Sequence, residues 1–303
     1  MNIKLADANF AIMLSNWYSG ATLLAILLDQ HADIICNGET FPFSPEDKRR
    51  YVCSCGEFID ECNFYKYTTQ ANSEDKKWDH KNYVILPNFS DIHLINKIIL
   101  SPKRDSLLRY VLINYISGIK QKYNEFLEAQ FSFMRNAIKF KNATVYLDGT
   151  KSITRAQMFA NAHNEEIKVI HLLRDGRGFC NSFVKNNKLS KSDFLMAAKL
   201  WNDYISLVEQ LEKKYKNLSV LHIKYEEICN DTNTALSKIY DHLCIDKTNT
   251  NQSFEHHVLG NRMRKNFDNR IIEDKSWESE IDEKQIVIIT KKMKKYLKKY
   301  NYI

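Results

Sequence analysis

A chain of 303 residues is long enough for one large α/β domain or two small ones. Hydrophobic residues make up 44% and charged residues 27%, the balance of an ordinary globular protein, and only 8 Gly and 4 Pro argue against long flexible linkers. The net charge of +7 favours anionic ligands without marking a nucleic-acid binder, because the Lys and Arg residues are scattered until the last helix.

Residues 1–9 are polar, and Phe10–Leu14 is too short for the core of a signal peptide. No stretch approaches the roughly 18 apolar residues of a membrane span. A cytoplasmic location is therefore expected, with the seven Cys mostly as thiols.

In chain order, Phe10–Leu14 reads as a strand covered on both faces, Ser15–Gly20 as a tight loop and Ala21–Gln30 as a helix. Asp33–Cys36 is a short second strand. Residues 64–140 break the rhythm. They carry Tyr65, Tyr67, Trp78, Tyr83, Phe89, Tyr110, Tyr115, Tyr123, Phe126, Phe131 and Phe133, and they read as a mostly helical insertion capping the sheet, where an acceptor pocket would sit. From residue 144 the alternation returns. The predicted strands are Thr144–Leu147, Lys168–Leu173 and Leu218–Ile223. The predicted helices are Ile153–Ala162, Gly176–Val184, Phe194–Tyr215 and Thr232–Leu243. Strands alternating with helices predict an α/β three-layer sandwich around a parallel sheet, with ligands at the carboxyl ends of the strands. The last helix sets Ile288, Ile289, Met293 and Leu297 among Lys291, Lys292, Lys294, Lys295, Lys298 and Lys299, as expected for a packed helix with a solvated basic face. The whole chain reads as one domain, residues 1–303.

Two turns carry the chemistry. In Ser15-Asn-Trp-Tyr-Ser-Gly-Ala-Thr-Leu-Leu24 a strand feeds a loop that opens a helix, so backbone N–H groups and the Thr22 hydroxyl can cradle an anion. No Lys follows Gly20, so this is not the phosphate loop of an ATPase or kinase. In Lys168–Ser182, Arg174 stands at a strand end and Ser182 lies two helical turns on, a guanidinium fork and a hydroxyl suited to phosphate.

The first turn resembles the 5′-phosphosulfate loop of sulfotransferases that use 3′-phosphoadenosine-5′-phosphosulfate (PAPS). The second, Leu173-Arg-Asp-Gly-Arg177 with Ser182, is similar to that family's 3′-phosphate motif. Asn37-Gly-Glu-Thr40, Asp148-Gly-Thr-Lys-Ser152, His222-Ile-Lys-Tyr-Glu-Glu227 and His257-Val-Leu-Gly-Asn-Arg-Met-Arg264 resemble further family segments. Only residues 64–140 and the last 30 resist matching. The resemblance implies a P-loop-like sulfotransferase fold and transfer of a sulfuryl group from PAPS to a hydroxyl or amine of a small acceptor, leaving the nucleotide PAP. It implies no metal requirement and no nucleic-acid or membrane partner. It leaves acceptor and oligomeric state open, and a glycan or peptide acceptor stands as an alternative.

Carried over residue by residue, Tyr18, Ser19, Gly20, Ala21, Thr22 and Leu23 would hold the 5′-phosphosulfate, and Arg174 and Ser182 the 3′-phosphate. Tyr225, with Trp201 as a further candidate, would neighbour the adenosine, and Gly260, Asn261 and Arg264 would close over it. The implied general base is Glu39, and Lys151 would stabilise charge on the transferring group.

One departure stands out. Tyr18 occupies the place of the family's usual Lys or Arg, and the lost charge-assisted contact is worth about 1.5–3 kcal/mol. Lys151 or Arg264 could cover for it, the enzyme could be slow, or the chain could bind PAPS or PAP without turnover. The presence of both Lys151 and Glu39 favours the first. Tyr18 followed by the Cys-rich segment 52–62 resembles one bacterial branch of the family. Cys53, Cys55 and Cys62 suggest zinc, but a Cys-x2-Cys pair is missing and no fourth ligand stands out. The expectation is that these thiols, or one bridge among them, brace the loop into the cap. His256 and His257 read as packing or surface residues, and no metal ligand is assigned.

Overall fold

β1 (Phe10–Ser15) is buried along its whole length and divides its side chains by strict alternation. Phe10, Ile12 and Leu14 join one apolar cluster, and Ala11 and Met13 another on the opposite face. This two-sided burial is why the strand reads as a continuous apolar run. The computed structural model describes residues 9–39, 51–69, 84–104, 107–248 and 253–303.

Four further strands complete the sheet: β2 (Ile34–Ile35), β3 (Val145–Asp148), β4 (Ile167–Leu173) and β5 (Leu218–Lys224). Their order is β2-β3-β1-β4-β5. Every pairing is parallel, with Ile12 level with both Asp148 and Val169, and His171 level with His222.

The helices are α1 (Ala21–Asp29), α2 (Asn63–Thr69), α3 (His93–Leu100), α4 (Leu107–Tyr115), α5 (Ser117–Lys141), α6 (Ile153–Ala162), α7 (Gly176–Asn186), α8 (Phe194–Lys214), α9 (Tyr225–Asn230), α10 (Thr232–Leu243), α11 (Trp277–Glu280) and α12 (Glu283–Lys299). α2, α5, α6 and part of α8 cover one face of the sheet through Tyr65, Phe131, Phe159 and Val208. α1, α9 and α10 cover the other through Leu24, Leu28, Ile228 and Ile239. A third cluster joins α7, α8 and α12 around Phe179, Trp201 and Met293. Helices on both faces of a parallel sheet make the three-layer α/β sandwich that the alternation predicts. Side-chain caps fix several helix starts: Ser152 accepts from Arg155 N, Asp175 from Arg177 N, Asp231 from Thr234 N and Asp282 from Gln285 N.

The described part of residues 64–140 is mostly helical. Its last helix, α5, is more than a cover over the strand ends, because Phe131, Phe133 and Met134 pack with Phe10 and Tyr146 against the sheet itself. Tyr65, Phe89, Tyr123 and Phe126 are buried, whereas Tyr67, Tyr110 and Tyr115 are exposed. Trp78 and Tyr83 lie outside the described residues. α12 buries Ile289, Met293 and Leu297 and turns its lysines outward; Ile288, expected on the packed side, is exposed. No helix among the described residues is long and apolar enough to cross a membrane.

Candidate active site

The carboxyl ends of all five strands meet at one edge of the sheet, and each supplies a residue to a cavity of about 1,020 Å³. β1 leads to Trp17–Leu23, β2 to Glu39, β3 to Lys151, β4 to Arg174 and β5 to Tyr225. The loop 259–274 lines the remaining side through Gly260, Asn261, Met263, Asp268, Arg270, Ile271, Ile272 and Asp274.

The loop after β1 is shaped by two left-handed residues, Tyr18 at φ 55° and Gly20 at φ 85°. Gly20 is required twice over. Its φ is costly for a side chain, and a Cβ there would stand 2.4 Å from Tyr225 Cδ2. The tight turn sets the N-terminus of α1 against the cavity, and no side chain caps it. Its first backbone N–H groups therefore have no intrahelical acceptor, and the helix dipole favours negative charge there. The Thr22 hydroxyl accepts from Asn261 N at 3.1 Å, which ties the loop 259–274 to the start of α1.

Arg174 is 6% exposed and fully engaged. Nη1 donates to the Tyr18 carbonyl at 2.6 Å and to Ser182 Oγ at 3.2 Å, and Nη2 donates to Asp274 Oδ2 at 2.8 Å and to the Asp274 carbonyl at 3.1 Å. The guanidinium also lies 5.0 Å over the Tyr225 ring. Burial raises the Asp274 carboxyl, but the hydrogen bonds from Ser276 and Arg174 outweigh it and hold the pKa at about 2. Tyr225 OH donates to the Ile272 carbonyl at 3.2 Å and accepts from Asp274 N at 3.0 Å. Burial pushes this phenol above its ordinary pKa, so it stays a neutral donor.

Glu39 and Lys151 form an ion pair, both largely buried. Close backbone approach brings them together: a Cβ on Gly149 would lie 2.8 Å from the Gly38 carbonyl oxygen, so glycine lets the turn after β3 lie on the turn after β2. Lys151 takes the left-handed φ of 62°, and its carbonyl accepts from Tyr204 OH at 3.0 Å. Glu39 is fixed from the other side, because its carbonyl accepts from Leu259 N at 3.0 Å. Thr40 lies outside the described residues.

Of the residues singled out in the sequence, Glu39, Lys151, Tyr18, Ser19, Gly20, Ala21, Thr22, Leu23, Arg174, Ser182, Tyr225, Gly260 and Asn261 share this cavity. Arg264 and Trp201 do not line it. The Arg264 Nη1 turns away to the carbonyls of Val52 and His257. Trp201 is 1% exposed in the core and supports the site from behind, its indole N–H donating to the Arg174 carbonyl at 3.1 Å. Tyr18 OH accepts from Asn187 Nδ2 at 3.2 Å. The lining cations are Lys151, Arg174 and Arg270, and Arg270 is ion-paired to Asp268. Asp274, Asn187 and Trp17 were not singled out in the sequence. Nothing in the sequence signals Asp274, which is one acid in a polar stretch 100 residues from Arg174.

A second cluster lies apart from the lining residues. Cys53 Sγ, Cys55 Sγ, Cys62 Sγ and a nitrogen of His256 all lie within 4.8 Å of one another. His256 thus meets the cysteines as a fourth donor as well as packing on Phe64.

Several solved structures resemble this chain. The sulfotransferase domain of the Synechococcus PCC 7002 olefin synthase is 14% identical, with a TM-score of 0.47 over 94% of this chain and 95% of that one. The sulfotransferase domain from the curacin biosynthetic pathway is 16% identical, with a TM-score of 0.43 over 94% and 98%. The sulfotransferase STF9 from Mycobacterium avium is 11% identical, with a TM-score of 0.45 over 98% and 78%. No curated protein sequence matches the chain. Residues 119–249, from α5 through α10 and including Lys151, Arg174, Ser182 and Tyr225, match the Sulfotransferase family. Over this stretch the chain is similar to the sulfotransferases.

Proposed function

We propose that the chain transfers a sulfuryl group from PAPS to a hydroxyl or amine of a small acceptor, with Glu39 as the base. One observation carries this reading. An uncapped helix N-terminus, an Arg–Ser pair and a Glu–Lys pair all line one cavity. Its volume of about 1,020 Å³ lies at the upper end of the roughly 300–1,000 Å³ of ligand pockets, which leaves room for a nucleotide and an acceptor together.

In this reading the backbone N–H groups of Ser19–Leu23 and the Thr22 hydroxyl hold the 5′-phosphosulfate. Arg174 and Ser182 hold the 3′-phosphate as bidentate and hydroxyl donors. Gly260 and Asn261 close over the nucleotide. Glu39 takes the proton from the acceptor's attacking oxygen or nitrogen. The bond from sulfur to the phosphate oxygen breaks, and PAP leaves with the electron pair. Lys151 places its ammonium against the charge that builds during transfer, the task that Tyr18 cannot perform as a neutral phenol. The Glu39 carboxylate is engaged by Lys151, so in this reading Lys151 shifts to the donor's oxygens before Glu39 meets the acceptor.

The test is to incubate the protein with PAPS labelled in its sulfuryl group and a panel of small alcohols, phenols and amines. Labelled product with the native chain, formed far more slowly by Glu39→Gln, is expected. Nucleotide binding without transfer to any acceptor favours the second reading, motivated by Tyr18, in which the chain binds PAPS or PAP without turnover.

A further inference from the structure

We propose that Cys53, Cys55, Cys62 and His256 bind one structural zinc ion, which clamps the loop over the candidate active site to the segment 51–62. This inference stands apart from the sulfuryl-transfer reading.

The geometry is that of a tetrahedral site before the ion is placed. Zn–S bonds of about 2.3 Å and Zn–N bonds of about 2.0–2.1 Å at tetrahedral angles require S···S edges of about 3.8 Å and S···N edges of about 3.6 Å. Cys55 Sγ and Cys62 Sγ stand 3.6 Å apart, and Cys62 Sγ and Cys53 Sγ 3.9 Å. His256 Nδ1 lies 3.7 Å from Cys53 Sγ and 3.4 Å from Cys62 Sγ. Four edges match, and every pair of donor atoms lies within 4.8 Å. All three cysteines are free thiols. Three thiolates and an imidazole close the coordination shell, which marks a structural rather than a catalytic site.

The surroundings are built for such an ion. Residues 51–59 fold into a small hairpin in which Cys53 N donates to the Glu57 carbonyl at 2.8 Å and Ile59 N to the Tyr51 carbonyl at 2.9 Å. Gly56, at φ 97°, turns the chain between the first two cysteines and Glu57. The His256 ring is held in place: it stacks on Phe64 at 4.7 Å and 9°, and Nε2 faces the Glu255 carboxylate at 3.4 Å. A carboxylate there keeps the proton on Nε2 and leaves the Nδ1 lone pair toward the sulfurs, the usual arrangement behind a metal-bound His. His256 also takes a left-handed φ of 63°, a strained choice for a residue with a side chain. Three thiolates and one divalent ion leave a net negative charge. Arg264 answers it, with its Nη1 on the carbonyls of Val52 and His257 and its Nε buried without a hydrogen-bond partner.

The site joins positions 200 residues apart in sequence and leads directly to the cavity. Next to the cluster, Ser54 N donates to the His257 carbonyl at 2.8 Å, and His257 N donates to Ser54 Oγ at 3.0 Å. Two residues on, Leu259 pairs with Glu39, and Asn261 N reaches Thr22. The ion would therefore hold the strap that carries Gly260 and Asn261 and steadies Glu39. A cross-link closing so long a loop restricts the unfolded chain strongly.

The experiment is metal analysis of protein purified under reducing conditions without chelator, followed by replacement with Co2+. About one zinc per chain is expected, with a thiolate-to-cobalt charge-transfer band after exchange. Cys55→Ser and His256→Ala should each lose the bound zinc and gain proteolytic cleavage around residues 51–62, whereas Cys244→Ser should keep it. Should the variants fail to fold, stoichiometry and cobalt spectrum of the native chain still decide. A folded, metal-free native protein that takes up neither zinc nor cobalt overturns the proposal. So does a disulfide between any two of the three cysteines found by mass spectrometry in the folded protein.

Discussion

Arg174 and Asp274 grip each other in the cavity, the guanidinium donating at 2.8 Å to the carboxylate and at 3.1 Å to the same residue's carbonyl. A phosphate bound by Arg174 must displace this carboxylate. In the proposed phosphate site Asp274 would therefore be an internal competitor, and the loop that carries it would move when the phosphate binds.

Asp274→Asn should therefore tighten PAP binding. The Asp274 side chain is 45% exposed, so the pair is worth at most about 1 kcal/mol, or roughly fivefold in affinity. The amide keeps an acceptor for Ser276 N, so the turn should survive. Isothermal titration checks it, and unchanged or weaker binding would contradict the competition.

Arg174→Ala should act in the opposite direction. It removes a buried fork, and PAP binding should weaken by roughly 2 kcal/mol or more. Arg174 also braces the Tyr18 carbonyl, so thermal stability should fall as well. Retained affinity would remove Arg174 from the proposed 3′-phosphate site.

Glu39→Gln should lower kcat by about 10²–10⁴-fold, the usual contribution of a general base. PAP affinity should barely change, because the side chain faces Lys151 rather than the α1 loop. A parallel loss of PAP affinity would mean that Glu39 shapes the nucleotide site and is not the base.

His171 and His222 predict acid sensitivity. Their Nδ1 atoms lie 2.9 Å apart, so one must donate and the other accept, and both rings cannot be charged. Burial, then the neighbouring His222 and Lys299, depress His171 well below the ordinary value. Burial also lowers His222, with Glu212 acting against it. Depressed folded pKa values mean that the unfolded chain binds more protons below about pH 6.5, so stability should fall as pH drops through that value. Urea midpoints between pH 7.5 and 5.0 check this, and His171→Asn should flatten part of the slope. A stability that holds or rises on acidification would contradict the assignment.

The sequence made most of the sheet legible because each strand is short, apolar and bounded by polar turns. β1, β4 and β5 lie within a residue or two of their predicted bounds, and α6 and α10 match theirs. The meeting of Arg174 with Ser182 was equally readable, since Arg174 directly follows β4 and Ser182 lies in α7, the helix that the turn opens. Helical spacing explains the slip at Ile288: the buried stripe runs through Ile289, Met293, Tyr296 and Leu297, and residue 288 lies about 100° off it. What could not be read were meetings across long separations. His256 joins Cys53, and Asp274 joins Arg174, only because the loop from 253 to 274 folds back over the strand ends. No local spacing encodes that return. The packing of α5 on the sheet was hidden for a related reason: its aromatic residues suit a cap and a core equally well.

The central claim is that the cavity at the strand ends is a PAP-type nucleotide site. Calorimetric titration of the native chain with PAP, with and without Mg2+, tests it most directly. Metal-ion-independent binding with a Kd on the order of micromolar, weakened in Arg174→Ala and tightened in Asp274→Asn, is the predicted result. A folded native protein that takes up no PAP under either condition would contradict it.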